Sequence, residues 1–159
     1  MRRSDREITS LEDILAVMRR CEVCRLALND GGWPYIVPLS FGMEEWGGCL
    51  RLFFHSALEG RKTELLRADP RAAFEMDCSL RLDYDAGRGY CTCYYESVMG
   101  RGRVRILEGD EKRHGLDALM EHYHPGQGAW FSPAALPRTL VFALDVEEIT
   151  GKRKTPRMV

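Results

Sequence analysis

The run Ser97-Val98-Met99-Gly100-Arg101-Gly102-Arg103-Val104-Arg105-Ile106 limits what this chain can fold into more than any other stretch. Val98, Gly100, Gly102, Val104 and Ile106 fall on one side of a two-residue repeat, and Met99, Arg101, Arg103 and Arg105 on the other. That alternation is the period of a β-strand with one apolar and one wet face. Two glycines on the apolar side leave bare backbone there. A barrel bend, or another main chain packed close, accounts for such a pattern.

Further strand signals surround it. Two apolar arms flank Asn29-Asp30-Gly31-Gly32, a hairpin turn sequence. On the second arm Tyr35, Val37, Leu39 and Phe41 share a face, and Pro38 interrupts it, which suits a bulge or a close approach rather than a central strand. Cys49–Phe54 reads as a third strand, Arg71–Cys78 as a fourth with Ala72, Phe74 and Met76 inward, and Thr139–Ile149 as the last. Residues 79–90, rich in charge and glycine, read as a loop. Three helices are expected. The first covers about 11–20, with Ser10 and Asp13 spaced as a capping box. The second runs from about 61 and stops before Pro70, and the third carries Leu116, Leu119, Met120 and Tyr123 on one stripe. Six strands joined by hairpins and short helices predict a mainly β, α+β chain: a six-stranded antiparallel split barrel with about three peripheral helices. At 159 residues the chain suits a single domain spanning 1–159.

The charge balance argues against some partners. Lys and Arg number 23 against 24 Asp and Glu, which gives no electrostatic footprint for nucleic acid. No apolar run approaches a membrane span, and the N-terminus lacks the apolar core of a secretory signal. A cytoplasmic protein is the expectation. The six cysteines are then free thiols rather than structural disulfides. Cys21, Cys24, Cys91 and Cys93 have spacings that a four-thiolate metal site could use. The C-x-C pair, however, places both sulfurs on one strand face, so free thiols are the preferred reading and no metal is expected.

The stretch Phe54-His55-Ser56-Ala57-Leu58-Glu59-Gly60-Arg61-Lys62 is the most suggestive chemically. Ser56 and Glu59 match a capping box, which predicts a helix starting just after Ser56. A helix start presents free N–H groups and partial positive charge, and Arg61 and Lys62 add two cations. A phosphate would find donors, a hydroxyl and two charges together. The plain alternative is a cap followed by solvated basic residues.

The residues 5–8 (DREI), 34–42 (PYIVPLSFG), 52–62 (LFFHSALEGRK), 68–75 (ADPRAAFE), 97–109 (SVMGRGRVRILEG) and 149–153 (ITGKR) occur in order across nearly the whole chain. As a set they resemble the FMN-binding split-barrel family of pyridoxamine-phosphate-oxidase-like proteins, and within it the nitroimidazole-resistance branch. The resemblance implies a homodimer with FMN at the subunit interface and an oxidoreductase that reduces a small acceptor such as a nitroaromatic. It places Arg61 and Lys62 at the FMN phosphate, and Pro38, Leu39, Ser40 and Phe41 on the strand beside the flavin ring. His55, Ser56 and Ala57 fall at the strand end beneath ring and ribityl chain.

His55 is the candidate catalytic residue, since nitro reduction takes up protons with electrons and imidazole titrates near neutrality. Against this stands a strand-end histidine satisfied by backbone. Some split-barrel relatives bind haem, which makes His55 a candidate axial ligand in a competing reading. A flavin-binding protein without turnover and a zinc-stabilised barrel are the others. Trp130, in an irregular segment, is the candidate lid or dimer contact over a flavin. Lys152, in the basic tail, is a candidate phosphate contact from a partner subunit. His114, His122 and His124 are expected on a solvated face.

Overall fold

The computed structural model describes residues 3–156. Eight strands and three helices follow in the order β1 (Glu7–Ile8), α1 (Leu11–Met18), β2 (Cys24–Asp30), β3 (Trp33–Leu39), β4 (Gly42–Trp46), β5 (Cys49–Ala57), α2 (Arg61–Ala68), β6 (Arg71–Asp85), β7 (Tyr90–Leu107), α3 (Gly109–Tyr123) and β8 (Thr139–Lys154). Short 3-10 turns lie at Ser4–Arg6 and Leu136–Arg138. Every pairing is antiparallel. The spatial order is β3-β2-β6-β7-β8-β5-β4, with β1 added to β8. The end strands β3 and β4 do not pair with each other, so the sheet is curved but open.

The architecture is the mainly antiparallel, three-helix fold expected, with eight strands in place of six. One addition is β1. The other is β4, joined to β5 through Gly47 and Gly48 at φ of 57° and 85°. This is the same kind of two-residue turn as Gly31 and Gly32 at 58° and 93°, a geometry that side chains resist. Residues 79–90 are a second correction. They are not a loop but an arm in which β6 and β7 stay paired out to Asp85 and Tyr90. A bulge at Ser79, whose φ is 58°, shifts the register between Cys78 and Arg81. Leu80, Leu82 and Tyr84 alternate with Arg81, Asp83 and Asp85, so the strand period was present beneath a loop-like composition.

The core explains the alternation in the long strand. Leu26, Leu52, Phe54, Met76, Val98, Phe142 and Leu144 are wholly buried on the inner face, and Val17 and Met18 of α1 close one end. A Cβ on Gly102 would lie 2.0 Å from the Asp145 carbonyl oxygen, and one on Gly100 2.5 Å from the Phe74 ring. Neighbouring main chain and ring therefore occupy the space a side chain would need. A bulge between Arg101 and Gly102 in the β7–β8 ladder marks the same bend. A smaller cluster lies on the outer face, where Phe53, Leu107, Val141 and Ala143 meet Leu116 of α3. β5 is thus covered on both faces, which is why Leu52, Phe53 and Phe54 are apolar in succession. Pro38 sits on the edge strand β3, where a missing N–H breaks no ladder. Among the described residues no helix is long and apolar enough to cross a membrane.

Candidate functional site

Period-two geometry sets His55. It follows Phe53 on the outer face of β5 and emerges where α3 stops covering the sheet. There it lines an apolar cavity of about 240 Å³ with Leu116, Leu119, Trp130, Phe131 and Leu136. His55 retains solvent contact, and burial together with the charge of Lys62 pushes its imidazole below the ordinary histidine value. Its resting form at neutral pH is therefore the uncharged ring.

The chain beyond His55 departs from the expected capping box. Ser56 remains in the ladder opposite Leu140, and its hydroxyl donates to the Ala57 carbonyl at 2.8 Å. The helix waits until Arg61, after Gly60 turns the chain at φ 120°. Strand pairing with β8 prevails over the local cap. No side chain caps α2, so the first-turn N–H groups lack a side-chain acceptor. The buried Thr63 instead donates its hydroxyl to the Ala57 carbonyl at 3.3 Å and ties helix to strand.

The adjacent cations Arg61 and Lys62 differ. Arg61 is bonded to both oxygens of Asp30 (Nε to Oδ2, 3.1 Å) and to Glu64 (Nη1 to Oε2, 3.2 Å). Lys62 is half-buried and has no carboxylate partner among the described residues. Burial pushes its pKa down. A half-buried cation loses part of its hydration with no counter-charge among the described residues to offset it, so this position is suited to an anion. The uncapped α2 N-terminus adds N–H donors beside it. The donor set fits a phosphate, and Lys62 is its least compensated member.

The remaining expected residues scatter. Pro38 and Ser40 are exposed and Leu39 partly so, along the free edge of β3 and just past it. Phe41 is wholly buried, with its ring 4.3 Å from that of His122 and its N–H donated to the Tyr123 hydroxyl at 3.1 Å. Trp130 is 80% exposed at the rim of the His55 cavity. Lys152 pairs with Glu7 and Ser97 near the far end of β8, its ammonium 5.8 Å from the Tyr95 ring. His55 pairs with Val141 near the start of that strand, so one chain does not bring Lys152 to His55.

Sequence reasoning missed Thr63 and the aliphatic wall of α3. The 3.6-residue stripe of α3 signalled a buried face but not what it would face. One histidine expectation is corrected. His122 is not on a solvated face: its Nε2 donates to the Cys21 carbonyl at 2.9 Å. His114 does face solvent and bonds Glu44 at 2.9 Å. Cys21 and Cys24 are buried, and burial pushes the Cys21 thiol up to about 12. Cys91 is exposed. Among the described residues, no three His, Cys, Asp or Glu side chains are grouped to hold a metal.

A family model described as pyridoxamine 5'-phosphate oxidase matches residues 10–153. The chain belongs to that family. Within it the chain resembles the nitroimidazole-resistance branch. A candidate 5-nitroimidazole antibiotic resistance protein from Bacteroides thetaiotaomicron VPI-5482 is 31% identical, with a TM-score of 0.79 over 92% of this chain and 85% of its own. Two more distant structures share the fold. The FAD and heme binding protein of Mycobacterium smegmatis is 22% identical, with a TM-score of 0.80 over 95% of this chain and 74% of its own. The flavocytochrome Anf3 of Azotobacter vinelandii is 19% identical, with a TM-score of 0.76 over 98% of this chain and 72% of its own. None of the curated proteins matches the sequence.

Proposed function

We propose that this family member is a cytoplasmic, homodimeric oxidoreductase that binds FMN and reduces a small uncharged acceptor, with nitroaromatics such as 5-nitroimidazoles as the substrate class. The observation that carries the reading is the uncompensated, half-buried Lys62 at the uncapped start of α2, beside His55 at the mouth of an apolar cavity. Family membership and the likeness to a candidate 5-nitroimidazole resistance protein, an FAD and heme binding protein and a flavocytochrome support it. Bound FMN would supply the two-electron chemistry.

The chain's own residues have distinct tasks in this reading. Lys62 and the first N–H groups of α2 hold the phosphate, and Arg61 contributes through the field it shares with Asp30. Ser56 and Ala57 border the same ground. The exposed edge at Pro38, Leu39 and Ser40 flanks the ring, while Phe41 anchors that strand end from within. Leu116, Leu119 and Phe131 exclude water from the acceptor, and Trp130 covers the opening. Lys152 lies too far along β8 to serve its own protomer's site and reaches the phosphate from the second copy.

His55 moves the proton. Burial is the larger cause of the lowered imidazole and the Lys62 charge the smaller, and a phosphate beside Lys62 offsets the smaller one. Anion binding thus raises the readiness of His55 to hold a proton part of the way back toward neutral pH, where a general acid is most effective. The test is the visible spectrum of the purified protein, with identification of any cofactor released on denaturation. FMN is the expected product. A colourless protein that takes up no added FMN refutes the reading.

A haem reading has one observation in its favour. An imidazole kept neutral by its surroundings is the form that ligates iron, and two of the similar structures are described as haem or cytochrome proteins. In that case His55→Ala abolishes haem retention, whereas in the flavin reading it leaves most FMN binding in place.

A further inference from the structure

A larger cavity, of about 770 Å³, lies at the other end of β8, where the β6–β7 arm meets the N-terminal 3-10 turn. Its volume is in the ordinary range for ligand pockets, roughly 300–1,000 Å³. Its charge is lopsided. Arg3, Arg6, Arg81, Arg88, Arg153 and Lys154 line it against only Asp5 and Asp83, in a chain whose formal net charge is -1.

Most of these cations are already matched. Arg3 and Arg6 lie 2.6 Å and 4.0 Å from Asp5, Arg88 3.3 Å from Asp85, and Arg153 2.6 Å from Glu96. Arg81 and Lys154 have no carboxylate at ion-pair distance among the described residues. Both instead rest on the ring of Tyr94, at 5.0 Å and 5.6 Å from its centroid, and Lys154 also donates to the uncharged Thr92 hydroxyl. Tyr94 is held in turn by its hydroxyl, which donates to Asp83 at 3.0 Å. A ring face positions a cation without neutralising it. Two uncompensated charges set around one fixed ring call for about two negative charges on whatever enters.

We propose that this cavity binds a small ligand bearing a doubly charged phosphoryl or pyrophosphate group, gripped by Arg81 and Lys154 against Tyr94. Within one chain the site is separate from the one at Lys62, and FMN saturation distinguishes it from the contact proposed for the partner's Lys152. His55 pairs with Val141, and Lys154 lies about 40 Å further along the same strand at the usual rise per residue. The inference does not depend on flavin binding.

Calorimetric titration with inorganic pyrophosphate, ADP and adenosine tests it, on protein with and without added FMN, at about 20 mM and about 300 mM salt. Pyrophosphate and ADP are expected to bind, adenosine not, with weaker binding at high salt. ADP tighter than pyrophosphate assigns a nucleotide, and equal affinities assign the phosphoryl group alone. Arg81→Ala and Lys154→Ala should each lower affinity about tenfold or more in FMN-saturated protein, with the exposed Arg67→Ala unchanged. Arg81→Gln and Lys154→Gln keep most of each stem and serve if an alanine variant unfolds. The proposal is overturned by absence of pyrophosphate binding to FMN-saturated protein at low salt, by an equal loss in Arg67→Ala, or by unchanged affinity in the folded Arg81 and Lys154 variants.

Discussion

Lys62→Ala should weaken FMN binding strongly while leaving riboflavin binding nearly unchanged. Lys62 is half-buried and has no carboxylate partner among the described residues, so its charge is available to an incoming phosphate. A hydrogen bond to a charged group contributes ~1.5–3 kcal/mol, and each ~1.4 kcal/mol is tenfold in affinity. The expected loss for FMN is therefore about 10- to 150-fold. Arg61→Ala should lose much less, within about threefold, because Asp30 and Glu64 already engage that guanidinium. Riboflavin lacks the phosphate and should bind both variants as it binds the natural protein, to within about twofold. Titration of both ligands by flavin fluorescence quenching measures all three constants. Equal losses of FMN and riboflavin in Lys62→Ala would place the phosphate elsewhere. A larger loss in Arg61→Ala would show that the Asp30 ion pair opens on binding.

The imidazole of His55 should titrate below the ordinary histidine value, and Lys62→Ala should raise it, as followed by NMR across pH 4–8. A folded-state pKa below the unfolded value means that the unfolded chain takes the proton first. This contribution to stability is therefore present above about pH 6.5 and is lost as pH falls from there to the folded pKa; a stability curve flat across that window opposes the assignment. Gly102→Ala must push against the Asp145 carbonyl and should cost ~3 kcal/mol or prevent folding, read by urea denaturation. Glu96 accepts from Arg20, Arg153 and Ser79 at 2.5, 2.6 and 3.0 Å. Glu96→Ala should cost ~2 kcal/mol by stranding those donors, and a loss within experimental error would show that solvent replaces them. Trp130→Ala should leave stability within ~0.5 kcal/mol yet alter KM for an aromatic acceptor, and an unchanged KM removes Trp130 from the site.

Much of this protein was legible in the chain because it depends on local periodicity. Alternation marks the inner faces of β2, β6 and β7, continuous apolar runs mark β5 and the start of β8, the stripe of α3 marks a covered helix, and Asp30-Gly31-Gly32 marks a hairpin. Ser10 does cap α1, accepting from the Asp13 N–H at 3.3 Å. The outer segment of β6 was misread because its apolar residues face solvent: Leu82 and Tyr84 are 78% and 72% exposed. Composition there imitates a loop while the pairing is set by β7. β4 is not legible because five residues, Gly42–Trp46, followed by two glycines carry little periodicity by themselves.

The candidate site divides along the same line. The sequence by itself determined that a strand ends at His55-Ser56-Ala57 and that two cations follow a glycine. Tertiary structure decided how those residues differ. Asp30 lies 31 positions before Arg61, and only the folding of the β2–β3 turn against α2 brings it there to engage one cation and leave the other bare. Likewise α3 lies far along the chain from His55, yet its packing on β5 makes the apolar cavity and helps keep the imidazole uncharged. Hydrophobic periodicity is a property of neighbours along the chain. Charge compensation and desolvation are properties of neighbours in space, and they exist only once the sheet has curved and its helices have docked.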